Sequence, residues 1–342
     1  MAQTMKAIGY QQALRIQEEA SLCDIELPIP EPSGHDVLVE VKAVAVNPVD
    51  TKIRANVAPD QGSWKVLGWD AAGIVTSVGE KVSAFKPGDA VWYAGDLSRQ
   101  GSNAQYQLVD ERIVGRKPSS LDFASAAALP LTAITAWEML FDRLNIKPGR
   151  EHAGEKLLVI GAAGGVGSIL VQLASQLTSL TVIATASRAE SQAWLEQLGA
   201  HHVINHKASL SKQLQELEVG EVDHVVSLNH TEEHLDEIVA ALKPQGQFGL
   251  IDDPEALNVR ALKSKSLSLH WEFMFTRSMY KTTDMVAQQK LLNEVAALVD
   301  QGILKSTLGV NAGKINATNL RKAHEKLEAE SMIGKVVLEG FK

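Results

Sequence analysis

The chain has 342 residues, 45% of them hydrophobic and 22% charged, and a formal net charge of −8; it is longer than one ordinary core supports and reads as two globular domains. The acidic balance, without a basic block, argues against a nucleic-acid surface, and the single cysteine, Cys23, excludes an intramolecular disulfide or a thiolate-held redox cluster. No charged-then-apolar leader opens the sequence and no apolar run approaches the ~20 residues of a membrane span, so the expectation is a cytoplasmic protein with no membrane partner.

Residues 1–115 read as β-rich. The stretch Asp36 to Val46 alternates and then turns apolar throughout, as a strand entering a core does, and 70–79 and 89–93 look like further strands. Pro32-Ser33-Gly34, Gly79-Glu80 and Lys86-Pro87-Gly88-Asp89 supply turns, and the regular spacing suggests a barrel-like β domain. The pattern then becomes helical at 122–129, stops before Pro130, and resumes at 131–143, where Ile134, Trp137, Leu140 and Phe141 share a face.

From 155 to about 275, strands and helices alternate. Strands are predicted at 156–160, 181–186, 202–205, 223–228, 247–251 and 267–273, with helices at 166–177, 189–198, 208–216 and 232–242. Such alternation implies an α/β fold with a parallel sheet covered on both faces, and six strands with a glycine turn after the first give a doubly wound Rossmann domain. Helices at 283–300 and 316–329 and a closing strand at 335–338 complete the chain.

The stretch Lys156 to Ser168, KLLVIGAAGGVGS, organises this half. Its glycines at 161, 164 and 167 are spaced G-x-x-G-x-x-G, between a strand and a helix. That context lets backbone N–H groups approach a pyrophosphate at a helix N-terminus; a ligand-free glycine turn is the plainer alternative. The next strand ends in Ser187-Arg188 with no carboxylate at its tip. A hydroxyl and a guanidinium there suit a ribose 2′-phosphate, which favours NADP(H) over NAD(H). Ser187 and Glu190 also have the spacing of a helix capping box.

The motifs together are identified as those of the medium-chain dehydrogenase/reductase superfamily. They are Asn47-Pro48-Val49-Asp50, Leu67-Gly68-Trp69-Asp70 with the following Ala71 to Val75, Lys86-Pro87-Gly88-Asp89, Gly101-Ser102-Asn103-Ala104, Ala128-Leu129-Pro130, the glycine turn, and Gly334-Lys335-Val336-Val337-Leu338. They span nearly the whole chain, which most resembles the quinone oxidoreductase branch and the bacterial zinc-type alcohol dehydrogenase-like group. The resemblance implies a GroES-like β-barrel domain formed by 1–130 and 276–342, a Rossmann NADP(H)-binding domain at 131–275, and an active site in the cleft between them. It also implies a homodimer, joined through the last Rossmann strand.

Zinc-dependent relatives carry Cys where this chain has Asn47, His-Glu where it has Trp69-Asp70, a Cys near Leu131, and a four-cysteine loop around 92–106. A single cysteine builds neither site, and His202 and His206, though four apart, sit on a strand and its exit loop. No zinc is expected, and the metal-ligand set is empty. Without a metal to acidify an alcohol, hydride addition to a quinone or an α,β-unsaturated carbonyl is the easier chemistry, since donors can hold the developing oxyanion. The expected activity is therefore NADPH-dependent reduction of such small-molecule substrates. The alternatives are a zinc-free alcohol dehydrogenase and a non-catalytic NADPH-binding protein.

Three candidates carry the chemistry. Asn47 is either a donor to the substrate oxygen or nicotinamide ribose, or a turn residue. Asp50 either orients its neighbours or caps a helix before Thr51. Lys52, where some quinone reductases carry Tyr, either stabilises anionic charge or is a solvated helix lysine. Trp69 lines the substrate pocket or packs in a core. For the cofactor, the resemblance implies Thr132, Leu250 and Ile251 near the nicotinamide and Gly164, Gly165, Val166 and Gly167 at the pyrophosphate. It places Ser187, Arg188 and His206 at the adenosine end, Phe275 in a covering segment, and Lys335 either within reach of the phosphates or on the surface.

Overall fold

The computed structural model describes residues 3–329 and 332–341. The strands of the first part are β1 (Thr4–Tyr10), β2 (Cys23–Pro28), β3 (Asp36–Val46), β4 (Lys65–Val66), β5 (Asp70–Val78), β6 (Ala90–Tyr93), β7 (Tyr106–Asp110) and β8 (Val114–Arg116), with helix α1 (Pro48–Asn56) between β3 and β4. Helices α2 (Phe123–Ala127) and α3 (Pro130–Trp137) lead, through a π-helical turn at Glu138–Arg143, to the alternating region. There β9 (Lys156–Ile160), α4 (Gly165–Leu177), β10 (Thr181–Thr185), α5 (Ala189–Gln197), β11 (His202–Ile204), α6 (Leu210–Glu216), β12 (Val222–Ser227), α7 (Thr231–Ala241), β13 (Leu242–Leu250) and β14 (Ser268–Trp271) follow in turn. The chain closes with α8 (Thr276–Met279), α9 (Ala287–Asp300), β15 (Leu308–Asn311), α10 (Ala317–Glu328) and β16 (Lys335–Glu339).

These elements fall into two compact units, Met1–Ile134 with Phe275–Lys342, and Thr135–Met274. In the first unit β2-β1-β4 form a small sheet, and β15-β16-β3-β5-β6-β8 form a larger one with β7 paired to β3. β3 is its centre: antiparallel to β5, β7 and β16, it buries Val37, Val39, Val41 and all of 43–46. The second unit is one parallel sheet in the order β11-β10-β9-β12-β13-β14. This is the doubly wound order, whose switch point lies between β9 and β12. Its middle strands are buried over almost their whole length because helices cover both faces, and Leu158, Ile160, Ile183, Val225, Phe248 and Leu250 join one core.

Local differences from the sequence expectation have identifiable causes. The helical stretch across Pro130 runs from Phe123 to Arg143, 21 residues, longer than any apolar run anticipated; an 18-residue window of it has mean hydropathy 1.3 and is 83% buried, as in a core helix. Pro130 opens α3, the position where proline loses no helical hydrogen bond. β13 starts at Leu242, ahead of the predicted start at 247, and runs through Lys243-Pro244-Gln245-Gly246; an irregular register against β12 and a left-handed Gln245 accommodate that run. No Ser187 cap forms: α5 takes Arg188 at its N-cap position with no side-chain bond to the helix. Asp50 is not an N-cap either; Asn47 holds that position, and Asp50 sits one turn inside α1.

Candidate active site

In the first unit, strand register brings three distant residues to one sheet end. β16 pairs Val336 with Val46, and β3 pairs Ala45 with Asp70. Lys335, Asn47 and Asp70 therefore stand beside one another at the ends of three adjacent strands. The Asn47 amide donates to Asp70 Oδ2 at 2.8 Å. The Lys335 ammonium donates to Asp70 Oδ2 at 2.9 Å and to Asn47 Oδ1. The Leu131 N–H donates to Asp70 Oδ1 at 2.7 Å. Asp70 is 0% exposed and Lys335 4%. A buried ion pair of this kind is tolerated because the same atoms are also hydrogen-bonded.

Asp50 extends the cluster. Its Oδ2 accepts the Asn47 N–H at 2.8 Å, so the carboxyl fixes the backbone where β3 turns into α1. Complete burial pushes its pKa up to about 7; hydrogen bonding from the Asn47 backbone, the Lys335 charge and the Gly68 backbone oppose that rise, and the Asp70 charge adds to it.

Lys335 is the clearest departure from expectation. It is not a surface lysine: its ammonium is buried between Asn47 and Asp70. The Asn47 amide is likewise committed to Asp70, with a second, longer contact to Ala45 O at 3.5 Å. A cation held on Oδ1 polarises the amide and strengthens its N–H groups as donors. These donors do not fit a catalytic zinc: the Asp70 carboxylate has both oxygens occupied, and a lysine ammonium already supplies the positive charge.

The remaining candidates of this unit divide. Trp69 is fully buried, donates its ring N–H to Asp96 O at 3.2 Å, and packs edge-on against Phe275 at 6.1 Å between ring centroids. It is thus a core residue that also fixes Phe275. Thr132 is buried and its hydroxyl donates to Leu129 O at 3.0 Å. Lys52 lies on the exposed side of α1.

In the second unit the carboxyl ends of the parallel strands gather the nucleotide candidates. Gly161 leaves β9 with φ +74, and a Cβ there would lie 2.3 Å from Asn229 Oδ1. A Cβ on Gly167 would lie 2.3 Å from Ala162 O. Both positions therefore demand glycine. Gly164 is the N-cap of α4, and Gly165, Val166 and Gly167 fill its first turn, where backbone N–H groups have no partner within the helix. The cradle fits a pyrophosphate. Ser187 and Arg188 follow β10, Arg188 exposed; Leu250 ends β13, buried, with Ile251 next. His206 follows β11 and faces His234 at 6.3 Å. Burial, then the His234, Lys207 and His230 charges, lower its pKa. Sequence reasoning did not single out Asp70 as a site residue, nor Asn229, whose side chain abuts Gly161.

Residues 33–119 match the family described as alcohol dehydrogenase GroES-like domain, and residues 198–338 that described as zinc-binding dehydrogenase. The chain is 39% identical over 338 residues to a zinc-type alcohol dehydrogenase-like protein of Staphylococcus epidermidis, covering 98% of this chain and 99% of that one. It is 31% identical over 336 residues to a quinone oxidoreductase of Lama guanicoe, covering 96% and 94%. A solved structure from Rhizobium etli CFN 42, whose name refers it to the zinc-dependent alcohol dehydrogenases, superposes with a TM-score of 0.97 at 55% identity over 100% of both chains. A GroES-like domain joined to a six-stranded parallel Rossmann sheet defines a two-domain pyridine-nucleotide oxidoreductase. The chain belongs to the medium-chain dehydrogenase/reductase superfamily, in its quinone oxidoreductase-like branch.

Proposed function

We propose that this oxidoreductase reduces quinones or α,β-unsaturated carbonyls with NADPH and uses no catalytic zinc. The observation that carries the reading is the Asn47–Lys335–Asp70 cluster. It puts a lysine ammonium and an amide, not metal ligands, at the end of β3. Bound NADPH supplies a hydride to an electron-poor carbon, and the chain must then stabilise negative charge on a conjugated oxygen. Asn47, polarised by Lys335 and held by Asp70, is one donor for that charge; Lys52 on α1 is a second, and Asp50 keeps the Asn47 backbone in place. Arg188 and Ser187 support the preference for the 2′-phosphate. The quinone oxidoreductase relative supports the substrate class.

The reading includes a cytoplasmic homodimer. The lone cysteine suits a reducing compartment, and β14 is an edge strand with Trp271 50% exposed, followed by Phe273 at 45%. A non-catalytic NADPH-binding role is the second reading, favoured by the internal commitment of the Asn47 amide.

The test is NADPH oxidation by chelator-treated protein with 1,4-benzoquinone, an aliphatic enone and a simple aldehyde in parallel. Turnover of the quinone or enone without added metal supports the proposal. Tight NADPH binding with no turnover moves the assignment to the binding role. A zinc requirement sinks the metal-free chemistry.

A further inference from the structure

We infer that the second unit carries a divalent-metal site of its own, formed by His152, Glu155 and His224, suited to zinc. It lies at the amino ends of the strands, the opposite edge of the sheet from the glycine turn. His152 belongs to the turn before β9, Glu155 immediately precedes β9, and His224 lies on β12, the neighbour of β9 in the sheet. The parallel pairing of His224 with Leu157 delivers its ring to the start of β9. Two imidazoles then converge on one oxygen: His152 Nδ1 lies 3.0 Å and His224 Nε2 2.8 Å from Glu155 Oε2. One ligand atom from each residue falls within 4.8 Å of the others.

A tetrahedral zinc with bonds near 2.0–2.1 Å sets its ligand atoms roughly 3.3 Å apart. The two nitrogen–oxygen pairs need to open by only a few tenths of an ångström to admit it, and the nitrogens lie within 4.8 Å of each other. Two nitrogen donors and one carboxylate favour zinc-like ions over magnesium or calcium. Among the described residues, the remote nitrogens, His152 Nε2 and His224 Nδ1, are buried with no partner, so no second hydrogen bond fixes either ring's tautomer. His224 is 6% exposed on a strand buried along its whole length, an unfavourable place for an imidazole without a purpose. Glu155 supplies the anionic oxygen on which both rings converge. The nearby Lys243 ammonium is paired with Asp223, which limits its repulsion of a cation. Glu155 is partly exposed and so leaves an approach for the ion and for water as a fourth ligand. Binding needs the two facing ring nitrogens unprotonated, with each ring's proton on its remote nitrogen.

The site is independent of the reductase reading, and its test uses no substrate. The whole protein is stripped with chelator, incubated with zinc chloride, dialysed against zinc-free buffer and assayed for metal; cobalt(II) is added in a parallel sample. One zinc per chain, a rise in melting temperature with zinc, and the visible absorption of tetrahedral cobalt are expected. His152→Gln, Glu155→Gln and His224→Gln should each weaken zinc binding by at least the ~10–100-fold that loss of a mere outer-shell partner costs. Should the buried His224→Gln variant fail to fold, the more exposed His152 and Glu155 variants carry the comparison. Zinc content no higher than the buffer control, or equal zinc affinity in the wild type and the folded variants, overturns the assignment.

Discussion

Replacing Lys335 with Met tests the buried cluster directly. The substitution keeps much of the side-chain volume but removes the ammonium that Asp70 Oδ2 contacts at 2.9 Å and Asn47 Oδ1 contacts on the other side. Asp70 is wholly buried, so its charge has no water to turn to. Breaking a buried pair by removing one partner costs about 3–5 kcal/mol. Asp70 retains the Leu131 N–H at 2.7 Å and the Asn47 amide at 2.8 Å, which places the expected loss near the lower end, about 3 kcal/mol. The assay is urea unfolding followed by far-ultraviolet circular dichroism, with the loss read from the midpoint at constant slope. Adding Asp70→Asn removes the stranded charge and should restore most of the stability, a coupling of about 2 kcal/mol in the double-mutant cycle. A single-variant loss under about 1 kcal/mol, or additive losses in the cycle, would refute the claim that these groups form one buried ion pair.

Other consequences follow from the same coordinates. The pKa of Asp50 is raised to about 7, so the folded state holds a proton that the unfolded chain releases near its ordinary value of 3.8. That contribution to stability is complete below about pH 4 and is lost as the pH rises to about 7; Asp50→Asn should flatten the pH dependence of the melting temperature across that window, and an unchanged slope would disprove the assignment. Gly167→Ala forces a Cβ to 2.3 Å from the Ala162 carbonyl and should abolish NADPH binding measured by nicotinamide fluorescence or unfold the second unit; wild-type affinity would contradict the close approach. Arg188→Ala should lower kcat/KM for NADPH by roughly 10–100-fold, the worth of a charge-assisted hydrogen bond, and leave NADH unaffected. Equal losses with both cofactors would remove Arg188 from 2′-phosphate recognition. Asn47→Ala should reduce kcat for quinone or enone by roughly 10²–10³-fold, as loss of an oxyanion donor does; an unchanged kcat would assign the donor elsewhere.

What could be read directly was whatever is written locally. Six parallel strands and their helices announced themselves through apolar runs and helical periodicity, with boundaries within a few residues of those observed, except at β13 and α9. The glycine turn was legible because its constraints are local: a Cβ on Gly167 would meet the Ala162 carbonyl five residues back, and Gly161 turns with φ +74. Local signals failed where a residue's neighbours lie far along the chain. β1 buries four consecutive residues against distant partners and shows no clean alternation over its length. β13 begins in a Pro-Gln-Gly run whose turn character is overridden by pairing with β12. Lys335 and Asn47 are 288 positions apart, and nothing near either predicts that an ammonium will be buried against an amide. Only the order β16-β3-β5 puts them side by side, and it also supplies Asp70 as the counter-charge that makes the burial tolerable. His152 and His224 obey the same logic, since it is the parallel pairing of β9 with β12 that aims both rings at Glu155. Periodicity and turn chemistry thus determined the elements and the nucleotide loop, because each depends on bonds within a few residues. Tertiary pairing decided which charged groups are buried together, because desolvation and ion pairing depend on distance in space and not along the chain.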